Sequence, residues 1–455
     1  MRSINPYNHE LIGEYPEHST HEVETIVQSV QSDWLTWRET TFDNRARLFR
    51  EAARILRDKK TIYARLMTSE MGKIIREATA EIEKCALVCD FYADHTAEIL
   101  KDEEIASDAL RSLVVYQPLG IILAVMPWNF PFWQVFRFAA PSLMAGNAAL
   151  LKHASNVPGC SLAIENIFRE AGFPANLFRS LMVPAGAVGK VIDHPFVMAA
   201  TVTGSGSAGS HVASQAGKQI KKTVLELGGS DPFIVLEDAN LEAAVKTAVT
   251  ARMLNQGQSC IAAKRFIVTK PVAAMFENAL RNAFELLKTG DPMDPETQVG
   301  PMARPDLVDE IERQVKGSID EGARLVTGGK RPELPGCYFE PTILADVKKG
   351  MRAFDEETFG PVAVIIPVED EAEAIAVAND TEFGLGGSVW TSNLARGESV
   401  ARKVTTGAMF VNGLTKSDPR LPFGGVKKSG YGRELGSMGI KEFVNIKTIW
   451  IGNPV

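Results

Sequence analysis

Apolar residues recur at three- and four-residue spacing from Glu22 to Leu100, most clearly in NRARLFREAARILRD and EIEKCALVCDFYADHTAEIL, and this spacing predicts a helix-rich N-terminal region. Beyond Ala106 the pattern shortens to β-branched runs, SLVVYQP, GIILAVMP, AALLKH, MAATVTG, KTVLELGG and DPFIVLE, which read as strands. Helical stretches alternate with them, as in PFWQVFRFAAPSLMAG, GCSLAIENIFREAG and SAGSHVASQAGKQI, so βαβ units and a doubly wound parallel sheet are expected to about residue 228. A second alternation follows, with RFIVT, PVAVIIPV, GGSVWTS and AMFVNG as strands and AAVKTAVTARMLNQ and EAEAIAVAND as helices. The fold class is therefore α/β, with two doubly wound parallel-sheet domains. Neither an internal repeat nor a Gly/Ser linker marks the boundary near residue 229.

A chain of 455 residues exceeds one ordinary core, in keeping with that division. The formal charge of −7, without a long Lys/Arg run, argues against nucleic-acid and anionic-lipid partners and favours small-molecule chemistry. Cys85, Cys89, Cys160, Cys260 and Cys337 are odd in number and form no CxxC pair, so neither a disulfide framework nor a metal ligand set is indicated. The N-terminal stretch lacks an apolar signal core, and the most apolar run, GIILAVMPWNF, is broken by Pro127 before spanning length. No membrane association and a cytoplasmic location are expected.

Four places carry candidate chemistry. Cys260, in MLNQGQSCIAAKRF, follows a polar glycine-containing break between apolar patterns, which puts the thiol on a turn; a small buried Cys is the alternative. Glu226, between leucines in LELGGS, would be desolvated at a strand end, which raises a carboxyl towards the range of a general base; a buried ion-paired Glu is the alternative. Asn129, in VMPWNFP, is flanked by Pro127 and Pro131, which stiffen the backbone around an amide able to serve an oxyanion or an Asx turn. Gly204, Gly206 and Gly209 satisfy GxGxxG between a strand and a helix, where phosphate binding is physically sensible. The acid expected to meet a ribose would fall near Glu226, 17 residues beyond Gly209, where LELGG suggests another role.

Taken in order, PWNFP (127–131), LKHAS (151–155), TGSGSAG (203–209), LELGGSDP (225–232), NQGQSC (255–260), EETFGP (356–361) and PFGGVKKSGYGRE (422–434) resemble the aldehyde dehydrogenase superfamily over nearly the whole chain. LKHA, LELGGSDPFIVL and FGGVKKSGYGREL look most like its bacterial succinate-semialdehyde dehydrogenases of the Sad type. The resemblance implies NAD(P)⁺-dependent oxidation of an aldehyde, with Cys260 as nucleophile, Asn129 as oxyanion donor and Glu226 as the base that hydrolyses a thioester. It implies NAD or NADP held by Lys152 at the adenosine ribose, by Trp128, Gly204, Ser205 and Gly209 around the pyrophosphate, and by Leu227, Glu357 and Phe359 at the nicotinamide end.

Relative to many relatives, Gly206 removes a threonine, and Ser155 removes a glutamate that would repel a 2′-phosphate, so NADP is tolerated. Arg137, eight residues after Asn129 in an apolar helical segment, is either a structural ion pair or the partner of a substrate carboxylate. A second Arg common six residues before the nucleophile is Leu254 here, leaving Lys416 or Arg420 to assist. The resemblance also implies a coenzyme domain of residues 1–105 and 124–228, a catalytic domain of 229–420, and oligomerisation elements at 106–123 and 437–455 that build a homodimer or homotetramer. The apolar tail EFVNIKTIWIG would be an exposed edge unless another subunit covers it. The rivals are a CoA-acylating enzyme, against which Glu226 speaks, and a catalytically silent relative.

Overall fold

A computed structural model describes residues 1–453, so the last two positions of the 437–455 element lie outside the described residues. Four helices, Thr20–Trp37, Phe42–Asp58, Lys60–Met71 and Ile75–Ile99, fulfil the N-terminal periodicity. The first opens with a capping box in which Ser19 and Glu22 satisfy each other's backbone N–H groups. Their apolar faces pack on a sheet of order Gly430–Tyr431, Lys222–Glu226, Val197–Thr203, Ile121–Met126, Ala148–His153 and Phe178–Ser180, and together they form the largest core of the protein. All its neighbours pair in parallel except Gly430–Tyr431, which runs antiparallel to Lys222–Glu226. The central strands are buried on both faces, which is why they read as continuous apolar runs without alternation.

From Ile121–Met126 the chain steps outward to Ala148–His153 and Phe178–Ser180, then returns to the other side with Val197–Thr203. The connections from Ile121–Met126 and from Val197–Thr203 thus diverge, and a crevice opens beyond their carboxyl ends. The second sheet has the order Arg324–Thr327, Thr342–Ala345, Val362–Val368, Ala263–Thr269, Asp231–Val235, Ser388–Trp390 and Phe410–Val411, parallel except for the first strand. Two further cores cover its two faces.

A third sheet pairs Val444–Ile451 with Arg111–Pro118, and Arg111–Pro118 with Glu103–Glu104. The hairpin element read as 106–123 therefore ends at Pro118. Ile121, Ile122 and Leu123 are fully buried and belong to the large sheet, where an apolar run on both faces is required. Strand Val444–Ile451 has one paired edge, and Ile446 and Trp450 on it are 61% and 57% exposed. No helix among the described residues is long and apolar enough to cross a membrane.

Candidate active site

The crevice at the switch point is a cleft of about 360 Å³ lined by Pro127, Trp128 and Asn129 after one strand, Thr203, Gly204 and Ser205 after the next, and Leu227 and Gly228 after the third. Cys260, Arg304, Leu307, Glu357 and Phe359 close it from the second sheet's side. Lys152, Ser155, Gly209, Glu226 and Arg137 do not line this cleft.

Cys260 reaches it because its loop departs from helical geometry. The segment AAVKTAVTARMLNQ is helical only as far as Met253; Asn255, Gln256 and Gly257 then take three consecutive left-handed conformations at φ 53°, 55° and 73°. Two of these are not glycine, an arrangement that costs about 1–2 kcal/mol per residue and persists only when over-determined by its surroundings. The surroundings are specific. Glu77 accepts the Asn255 backbone N–H at 2.8 Å, Gln258 Oε1 accepts from Ala303 N at 2.9 Å, and the buried Arg252 donates to the carbonyls of Gly257, Gly360 and Ala263. At Gly257 any Cβ would stand 2.1 Å from the Gly360 carbonyl.

Asn129 is held beside this loop. Its Nδ2 donates to the Gln258 carbonyl at 3.1 Å, while its own carbonyl accepts from Asn255 Nδ2 at 2.8 Å. One N–H of the Asn129 amide has no acceptor among the described residues and borders the cleft beside Cys260. The following turn is pinned by Glu81, whose Oε1 accepts the backbone N–H groups of Phe132 and Trp133 at 2.9 Å each. Glu81 is ion-paired to the fully buried Lys73, whose ammonium sits 3.7 Å from the Phe130 ring centre. One N-terminal helix, Ile75–Ile99, thus fixes both the thiol loop and the amide loop.

Burial pushes the Cys260 thiol up to about 12, with Arg137 and Lys264 acting against it. Glu226 closes its strand between Thr203 and Gly430, and neither of its carboxylate oxygens has a hydrogen-bond partner. Burial raises its carboxyl well above the usual carboxylate range, Arg137 opposing and Glu434 adding to the rise. Of the two possibilities left open for Arg137, the geometry has the ion pair. Its guanidinium meets Glu434, donates to Thr203 Oγ1 at 3.2 Å and lies 4.7 Å from the Phe423 ring centre. As assistants, Lys416 is exposed and Arg420 is paired with Asp418. A further cation, Lys84, donates to Ser417 Oγ at 2.7 Å and lies 4.2 Å from the Trp133 ring centre; like Arg137, it does not line the cleft.

The other side of the cleft suits a phosphate-bearing ligand. Ser205 caps helix Gly206–Lys218, its Oγ accepting from Ala208 N, and the free N–H groups of that helix's first turn open next to the cleft. Lys152 is buried at the carboxyl end of its strand, and among the described residues no carboxylate lies within ion-pair distance of it. Ser155 is exposed on the turn just beyond. Gly209 serves packing, since a Cβ there would stand 2.5 Å from the Leu227 side chain. Gly206 has open space instead: nothing lies within 4 Å of a Cβ built on it. Trp128 and Phe359 face each other edge to face at 5.8 Å, and Arg304 lies 5.6 Å from the Trp128 ring centre.

The pair Gly228–Gly229 has a physical reason that the motif alone does not disclose. A Cβ on Gly228 would stand 2.3 Å from Glu357 Oε2, and one on Gly229 would stand 2.7 Å from the Cys260 carbonyl. Glu357 packs on this bare backbone and accepts the Gly229 N–H at 3.0 Å. Thr203, Arg304, Leu307, Lys84, Lys264, Glu77 and Glu434 were not singled out by sequence; for Glu434 and Lys264 the available signal was a charge inside an otherwise small or apolar motif, GYGREL and CIAAKRF.

A profile of the aldehyde dehydrogenase family matches residues 1–449. The chain is 53% identical to a probable NADP⁺ succinate-semialdehyde dehydrogenase of Synechocystis sp., over 99% of each chain. It is 46% identical to the succinate semialdehyde dehydrogenase [NAD(P)⁺] Sad of Escherichia coli, over 98% of this chain and 97% of that one. A crystal structure of succinic semialdehyde dehydrogenase from Streptococcus pyogenes in complex with NADP⁺ superposes with a TM-score of 0.97 at 39% identity, covering 99% of this chain and 100% of that one.

Proposed function

Because the chain belongs to the aldehyde dehydrogenase family, we propose that it oxidises succinate semialdehyde to succinate with NAD⁺ or NADP⁺. The observation that carries the substrate is the 53% identity over 99% of the chain with a probable succinate-semialdehyde dehydrogenase.

Cys260 gives up its thiol proton to water and its Sγ adds to the aldehyde carbon, and the unengaged N–H of Asn129 donates to the oxygen as charge develops there. NAD(P)⁺ bound in the cleft would supply the hydride acceptor for that carbon. Cys260 Sγ holds the acyl group as a thioester once the carbon is oxidised. Glu226 then accepts a proton from water as the water oxygen attacks, the C–S bond breaks, and the acid and the thiol are released. Burial without hydrogen bonds makes this carboxylate a stronger proton acceptor than an exposed one, which suits that task.

For the coenzyme, the buried and uncompensated Lys152 fits an adenosine ribose and its phosphate, and the helix end at Ser205 fits the pyrophosphate. Trp128, Leu227, Glu357 and Phe359 fit the nicotinamide end of the cleft. Ser155, a small exposed residue where a carboxylate would repel, leaves room for a 2′-phosphate.

With Arg137 engaged by Glu434, the distal carboxylate of the substrate falls to Lys84. Lys84 and Cys260 both lie in the field of Arg137, and among the described residues Lys84 has no carboxylate partner. The assembly is a cytoplasmic homo-oligomer in which a second copy covers the apolar edge strand at Ile446 and Trp450. The test is NAD(P)H formation from ω-carboxylic and simple aldehydes, with each coenzyme, with and without CoA. Turnover of succinate semialdehyde without CoA is expected; dependence on CoA would favour the acylating rival, and no turnover the silent one.

A further inference from the structure

Strand Ala263–Thr269 carries two adjacent buried cations, Lys264 and Arg265, which alternation sends to opposite faces. Arg265 is a tether away from the cleft: it donates to the carbonyls of Ser230, Val377 and Ala378 at 2.8–3.1 Å. Lys264, only 1% exposed, turns the other way, beneath the thiol loop. Its Nζ donates to the carbonyl of Cys260 at 2.8 Å and to that of Ser259 at 3.0 Å, and stands 3.4 Å from Glu357 Oε1. Glu357 in turn accepts the Gly229 N–H, and Gly229 is bare exactly where a Cβ would strike the Cys260 carbonyl. A ring closes through Gly229, Glu357, Lys264 and Cys260, in which one ammonium bridges the thiol residue's backbone and the carboxylate on the cleft wall.

We propose that Lys264 is a positioning residue that couples the coenzyme side of the cleft to the nucleophile: its ammonium is shared between Glu357 and the Cys260 carbonyl, so a ligand that hydrogen-bonds to Glu357 alters the grip on the thiol loop. The proposal rests on the reading of Cys260 as nucleophile and of Glu357 as a coenzyme contact. A buried cation is costly unless its donors are used, and here three carbonyls and a carboxylate use them. A neutral side chain of the same length would leave those acceptors unpaired and Glu357 without its counter-charge. The groups that face the thiol are Arg137, Lys264, Glu357 and Glu226; those that face Lys264 are Glu357, Arg252, Asp231 and Cys260. Removing the ammonium takes away one of the two cations nearest the thiol and leaves both nearby carboxylates in place.

The test is the rate of alkylation of Cys260 by iodoacetamide, located by mass spectrometry, at fixed pH values between about 8 and 10, below the thiol's midpoint where the rate follows the thiolate fraction, with and without saturating NADP⁺. In the native enzyme NADP⁺ is expected to change that rate. Lys264→Met is expected to lower that rate about tenfold at each pH, to lose most of the response to NADP⁺, and to lower kcat/KM roughly tenfold. Lys264→Arg is expected to restore the rate. Heat unfolding reports whether each variant is folded, and Lys264→Gln, which still donates to the carbonyls without charge, carries the same reading if the methionine variant does not fold. A native alkylation rate and native NADP⁺ response in the uncharged variants would overturn the proposal, as would a native enzyme whose thiol ignores NADP⁺. If alkylation at Cys260 leaves turnover intact, the nucleophile assignment itself falls, which is a separate and recognisable outcome.

Discussion

Arg137 and Glu434 are joined in a buried ion pair, 2% and 4% exposed, directly behind Glu226, so the guanidinium balances two carboxylates at once. Breaking such a pair from one side leaves an uncompensated charge, at a cost of about 3–5 kcal/mol. Arg137→Leu is therefore expected to lower thermal stability and to reduce kcat/KM for succinate semialdehyde and for an uncharged aldehyde of similar length to the same degree. A selective loss on the charged substrate would return carboxylate recognition to Arg137.

Lys84 gives the complementary expectation. Lys84→Met should raise KM for succinate semialdehyde about tenfold or more and leave the uncharged aldehyde little changed. Burial lowers the Lys84 ammonium to about 8, so the charge is present below that pH and lost above it. KM for the charged substrate should accordingly climb as pH rises through about 8, and that climb should vanish in the variant.

Cys260→Ala should bind NADP⁺ and show no turnover. Glu226→Gln should retain a pre-steady-state burst of NAD(P)H followed by a steady state slowed by about 10²–10⁴-fold, since only thioester hydrolysis needs a proton taken from water. Burst and steady state falling together would make Glu226 a base for the thiol instead.

Ser155→Glu places a carboxylate on the turn beyond Lys152, where the 2′-phosphate is expected. The ratio of kcat/KM for NADP⁺ over NAD⁺ should drop about tenfold or more; an unchanged ratio would remove residue 155 from the coenzyme site.

Glu77 links the thiol loop to stability. Burial raises its carboxyl from 4.5 to about 7, with Lys73 and the Asn255 N–H acting against the rise. A carboxyl that binds its proton more tightly when folded contributes stability in full below about pH 4.5 and loses it as pH rises through about 7. Glu77→Gln, which keeps an acceptor for the Asn255 N–H, should thus gain melting temperature relative to the native enzyme between about pH 5 and pH 8. Parallel melting curves across that range would show that Glu77 does not titrate there.

The two parallel sheets were legible because their strands are buried on both faces and must be apolar throughout, as in Ile121–Met126 and Val362–Val368. Cys260, Asn129 and Glu226 stood out as candidates because each interrupts such a pattern. What supports them was not. Glu77 grips Asn255 across 178 residues, and Glu81 grips Phe132 across 51, through backbone N–H groups that leave no trace in local composition. The demand of Arg137 for a partner could be read from its apolar surroundings, but Glu434 as that partner depends on Gly430–Tyr431, a strand of two residues with no periodicity to announce it. The left-handed turn at Asn255 and Gln256 broke the helix that AAVKTAVTARMLNQ suggested, because Glu77 and Arg252 outweigh local preference there.

The pairing of Gly430–Tyr431 with Lys222–Glu226 also bears on how the chain comes off the ribosome. By the time residue 260 has been synthesised, both motif cysteine and motif glutamate exist, yet the strand that flanks Glu226, the Ser429 hydroxyl that holds the Gly228 carbonyl at 2.6 Å, and Glu434 are still some 170 residues of translation away. A nascent or C-terminally nicked chain therefore carries the thiol without the enclosure that tames it. The surroundings of Glu226 are thus completed only by the final stretch of the polypeptide.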